Sequence, residues 1–142
     1  MVNEVLEFPL KDPMILWCRV KGANTRIMEL SCLLDYNFDY CYLGRQDASE
    51  LGYPEATLSH GSWMEFRPDR APMVLDMRGM ERSIQITLKE VSLGDLSVKD
   101  VDALITEFDT SPLSPFDMVL GRTFLKSFKM EIDPKAGILR LG

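Results

Sequence analysis

The sequence predicts a mostly β domain of barrel or sandwich type, and three observations carry that prediction. Short apolar runs with period-two alternation recur along nearly the whole chain. Turn compositions rich in Gly, Pro, Asn and Asp separate them. Helical periodicity is confined to one or two short stretches. The 142 residues form one domain, 1–142, without a linker or an internal repeat, and suffice to bury a core.

Taken in order, Val2 to Leu10 alternates loosely through Pro9, as an edge or terminal strand does. Met14 to Val20 is a second strand, closed by the turn Lys21-Gly22-Ala23-Asn24. Arg26 to Leu34 is a strand with Met28, Leu30, Cys32 and Leu34 on one face and Glu29 and Ser31 on the other. It runs into Asp35 and the aromatic loop Tyr36-Asn37-Phe38-Asp39-Tyr40. A carboxylate at the end of an apolar strand is costly unless something holds it, so Asp35 is the first candidate for function.

Cys41-Tyr42-Leu43 reads as a short strand, and Gln46 to Leu51 as a short helix stopped by Gly52 and Pro54. Leu58 to Phe66 fits no single template. Met73 to Asp76 and Ser83 to Val91 form a hairpin around Met77-Arg78-Gly79-Met80. A turn at Leu93-Gly94-Asp95-Leu96 leads into extended chain from Val98 to Phe108, then a Pro/Ser loop over Asp109 to Pro115. Met118-Val119-Leu120 is a buried strand ending at Gly121. Thr123 to Phe128 is the best helix, with Phe124, Leu125 and Phe128 on one face. Lys129 to Ile132 and Ile138 to Leu141 close the chain as a hairpin around Asp133-Pro134-Lys135-Ala136-Gly137.

Composition narrows the chemistry. The net charge of −6, without a basic block, argues against nucleic acid as a partner. No apolar run reaches the roughly 18 to 20 residues of a membrane span, so no membrane is expected. The N-terminal residues lack the basic and apolar regions of a signal peptide, and a cytoplasmic location is the expectation. Cys18, Cys32 and Cys41 are expected as reduced, buried thiols. His60 is the only histidine, which leaves a zinc site short of ligands and removes most Ser-His and Cys-His arrangements. No metal or cofactor is expected, and acid–base chemistry falls to carboxylates.

Leu33-Leu34-Asp35, a central hairpin with glycine at its tip, Met118-Val119-Leu120-Gly121-Arg122, and a helix before terminal strands occur in that order. Together they resemble the retropepsin-like aspartic proteases, from about Met14 to Leu141. The resemblance implies a closed-barrel acid-protease lobe that works as a homodimer, with one aspartate from each subunit. Two close carboxylates share a proton, so one activates water while the other polarises the scissile carbonyl of a peptide ligand. It assigns Asp35 as the catalytic aspartate and Asp39 with Arg122 as a structural ion pair. It also makes Arg78, Gly79 and Met80 a flap, and puts the terminal strands in the dimer interface.

The active-site loop departs from the family pattern. The family follows its aspartate with Thr or Ser, then Gly, then usually Ala; here stand Tyr36, Asn37 and Phe38. A phenol cannot replace the small hydroxyl that locks the two loops together. A Cβ at Asn37 narrows the approach to the aspartate. Phe38 adds bulk toward the wall where a substrate side chain sits. Two readings follow: a homodimeric aspartic endopeptidase, or a catalytically inactive dimer of the same fold that binds a peptide or protein or serves assembly.

Overall fold

Cross-strand pairing of short alternating segments organises the chain into a closed barrel with a small sheet beside it. The computed structural model describes residues 5–53, 64–66, 81–106 and 116–142, with backbone alone at 64–66, 81–84 and 106. Among the described residues the strands are β1 (Leu6–Pro9), β2 (Ile15–Lys21), β3 (Ile27–Leu34), β4 (Cys41–Gly44), β5 (Met64–Phe66), β6 (Glu81–Leu93), β7 (Leu96–Thr106), β8 (Met118–Leu120), β9 (Met130–Asp133) and β10 (Ile138–Leu141). The helices are α1 (Arg45–Glu50) and α2 (Arg122–Leu125).

The barrel order is β2-β3-β8-β4-β7-β6, and β6 returns to β2 through Arg19↔Ser92, Val20↔Val91 and Lys21↔Glu90. Six strands thus close the ring, while β5 extends β6 outside it. Two pairings are parallel, β3 with β8 and β4 with β7. The chain ends pair with each other, β1 on β10 and β10 on β9, as a separate three-stranded sheet.

Alternation along four of these strands buries both of their faces. Leu30 and Cys32 of β3, Cys41 and Leu43 of β4, Ala103 and Ile105 of β7, and Met118 and Leu120 of β8 point into the barrel. Their neighbours Leu33, Tyr42, Leu104 and Val119 form a second apolar cluster on the opposite face, completed by Phe38 and Phe116 from the flanking loops. A sheet segment needs covering on both sides only when something packs on its outer face, and here that cover is the protein's own aromatic rings.

The helix over Gln46 to Leu51 is found as α1, with Ala48 and Leu51 in the core. Gly52 ends it at φ +93°, a backbone region that disfavours side chains with a Cβ. The helix over Thr123 to Phe128 shortens to α2, starting at Arg122; hydrogen-bonded turns continue to Phe128, whose ring meets Phe124 at 5.1 Å.

The cysteines need a correction. All three are buried as expected, but Cys18 of β2 and Cys32 of β3 are joined as a disulfide, leaving Cys41 as the free thiol. They lie diagonally across an antiparallel pair on the same face, since Cys18 opposes Leu30 and Cys32 opposes Leu16. The first arm of the central hairpin, Met73 to Asp76, lies outside the described residues; its second arm runs within β6.

Candidate active-site loop

The site begins where β3 stops. Leu34 N–H donates to Met14 O at 2.9 Å, and Asp35 N–H donates to Leu120 O at 3.1 Å, so the parallel partner β8 fixes the point at which the acid leaves the sheet. Asp35 is half-buried. Its Oδ1 accepts the backbone N–H of Asn37 at 2.9 Å, and its carbonyl accepts the N–H of Phe38 at 3.2 Å. This is the turn chemistry of an Asx residue, with the carboxylate closing its own loop.

Each of the next four residues has a distinct place. Tyr36 is exposed, with the Arg122 guanidinium 5.6 Å from its ring centroid. Asn37 is exposed and its carbonyl faces Arg122 Nη2 at 3.5 Å. Phe38 turns into the outer cluster, where its ring meets Tyr42 edge-on at 5.5 Å. Asp39 returns to the surface and pairs with Arg122. With side chains 42% and 72% exposed, that ion pair contributes at most about 1 kcal/mol.

The opposite wall is the junction of β8 and α2. Arg122 N–H donates to Phe38 O at 2.8 Å. Gly121 sits so close beneath the loop that a Cβ there would lie 2.1 Å from Tyr40 O and 2.7 Å from Phe38 O. Only glycine allows this approach. Thr123 adds a further tie: its hydroxyl accepts Cys41 N–H at 3.0 Å and donates to Asp102 O at 2.7 Å, joining β4, β7 and α2.

Two contributors escaped the sequence reading. Asp117 accepts both the backbone N–H and the hydroxyl of Ser31 on one carboxylate oxygen, each at 3.1 Å, just before β8 pairs with β3. A lone hydroxyl in an apolar strand and an acid immediately ahead of a buried strand were the available signals. Phe116, 1% exposed, covers the outer cluster from just beyond the Asp109 to Pro115 loop.

Arg78, Gly79 and Met80, assigned to a flap, lie outside the described residues, as do His60 and the Asp109 to Pro115 loop. Among the described residues no group of three His, Cys, Asp or Glu side chains is arranged to hold a metal ion. Burial pushes the Cys41 thiol above its ordinary range despite the Thr123 hydroxyl beside it. It is therefore held as an inert thiol.

No protein-family model matches the sequence, and no curated protein matches it. Solved structures do match in three dimensions. A retropepsin-like aspartic protease from Rickettsia conorii superposes with a TM-score of 0.65 at 18% identity, covering 99% of this chain and 100% of that one. The retroviral protease-like domain of Ddi1 from Leishmania major gives 0.50 at 16% identity, over 89% of this chain and 85% of that one. The fold is that of a retropepsin-like acid-protease lobe, a mostly β closed barrel of six strands.

Proposed function

We propose that this chain is a catalytically inactive retropepsin-like module that binds a peptide or protein partner. The observation that carries this reading is the engagement of the three residues after Asp35 inside the subunit. Tyr36 stacks on Arg122, the Asn37 N–H closes on the Asp35 carboxylate, and Phe38 fills the outer apolar cluster. The Asn37 N–H engages Oδ1 of Asp35 alone, so what weighs against a peptidase is the wall beside the acid, where bulky aromatic rings stand in place of open space for a substrate side chain. Phe38 and Phe116 are 5% and 1% exposed, so the outer face of β3, β8, β4 and β7 is occupied by the chain itself.

One feature favours the runner-up, a homodimeric aspartic endopeptidase. Asp35 is half-buried at the end of β3, tied to Leu120 beside it, where a second copy could bring a like acid. The two readings separate in one experiment. Purified protein and Asp35→Asn are incubated with a broad peptide library from mildly acidic to neutral pH, and partner capture is measured in parallel. The module reading expects no cleavage and equal partner binding by both proteins. Cleavage abolished by Asp35→Asn overturns it.

A further inference from the structure

We propose that Tyr36 is a positioning residue that makes the Asp35 loop self-ordering within a single subunit. It acts through Arg122, by holding the guanidinium against the loop. Arg122 reaches four consecutive residues: it stacks on the Tyr36 ring, donates from Nη2 to Asn37 O, donates from its backbone to Phe38 O, and pairs with Asp39. Of these, only the backbone bond at 2.8 Å is independent of the side chain's position.

The side-chain contacts are individually weak. The Asn37 contact is long at 3.5 Å, and the ion pair joins two groups that water reaches. A half-exposed guanidinium with only those partners would exchange among rotamers and leave the loop to its backbone bonds alone. Its Nε is buried and, among the described residues, has no hydrogen-bond partner, so no acceptor fixes that edge of the group. The Tyr36 ring supplies the missing restraint by presenting its face to the cation, whose central carbon lies 5.6 Å from the ring centroid. This also accounts for a large aromatic side chain left 52% exposed in the middle of a loop.

Every group in this arrangement belongs to one chain. The turn at Asp35, the stack, the ion pair and the close approach of Gly121 form a closed circuit that needs no second subunit. The loop order that follows is independent of whether Asp35 does chemistry or a partner binds.

The test is amide hydrogen exchange at Asn37, Phe38 and Arg122, measured by NMR over a dilution series that spans any self-association, alongside the Arg122 side-chain resonances. Wild type is expected to show protection that does not change with concentration, and Arg122 δ-protons shifted upfield by the ring. Tyr36→Phe, which keeps the ring, should match it. Tyr36→Thr should lose the ring-current shift and exchange about two- to five-fold faster at these amides, with barrel amides such as those of Leu43 and Ile105 unchanged. Protection in wild type that rises with concentration overturns the proposal. So does Tyr36→Phe behaving like Tyr36→Thr, or Tyr36→Thr leaving exchange and resonances as in wild type. If Tyr36→Thr fails to fold, Tyr36→Leu, which keeps apolar bulk without a ring, takes its place: it should lose the ring-current shift and exchange faster at these amides, and wild-type behaviour in it overturns the proposal.

Discussion

Ser31 and Asp117 satisfy each other across the parallel β3–β8 junction: one carboxylate oxygen accepts both the amide and the hydroxyl of Ser31, while Asp117 N–H donates to Ser31 O at 2.8 Å. Ser31 is 9% exposed, so its partners cannot simply be exchanged for water. Asp117→Ala should cost about 1–3 kcal/mol, the range for stranding a buried polar group. The midpoint of urea unfolding measures it.

Gly121→Ala should be among the most damaging single changes. The added methyl meets backbone carbonyls of Tyr40 and Phe38, which cannot rotate away as a side chain tip could. Overpacking typically costs about 1–3 kcal/mol, and a backbone obstacle puts this site at or above the upper end. Thermal unfolding reports the loss, with faster amide exchange concentrated at 35–40.

Phe38→Ala and Phe116→Ala should each lose about 3–5 kcal/mol, as a fully buried ring is removed from a packed cluster. The reading in which these rings occupy the outer face adds a second expectation: each variant, where folded, should gain affinity for an apolar probe such as 1-anilinonaphthalene-8-sulfonate. Fluorescence titration measures it.

The Cys18–Cys32 bond closes a loop with a sequence separation of 14 residues. A cross-link of that span stabilises by about 3 kcal/mol in the chain-entropy account. Reduction, or the paired Cys18→Ser and Cys32→Ser substitution, should lower stability by an amount of that order. Alkylation of the unfolded protein without reductant should label Cys41 alone, as mass spectrometry would detect.

Alkaline pH should weaken the fold through two groups. Burial raises the Cys41 thiol above its ordinary 9.0 and carries Tyr53 from 10.0 to about 12. In both cases the folded chain holds its proton at pH values where the unfolded chain has released it. Stability is therefore fully present below the unfolded values and falls as pH rises above them. Tyr53 OH also donates to Thr87 O at 2.7 Å, a bond lost on ionisation. Urea midpoints taken on either side of about pH 9–10 should fall in wild type and fall less in Cys41→Ala.

Residue pattern alone determined most of the architecture. Alternation located β3, and short apolar runs bounded by turn compositions located β2, β8 and the terminal hairpin, each to within about a residue, because burial and turn chemistry are written into local sequence. It also singled out Asp35, since an acid ending an apolar strand violates that pattern. What only the tertiary structure decided depends on residues distant in sequence. Phe38 and Phe116 cover the same outer face from 78 positions apart, and Cys18 finds Cys32 only once β2 and β3 pair. The Arg122 guanidinium meets Tyr36 because Gly121 lets the β8–α2 junction come under the loop. Periodicity reports how buried a side chain is, and that is a local property of its strand. Which partner it meets is set by strand order and barrel closure, and these exist only in the folded chain.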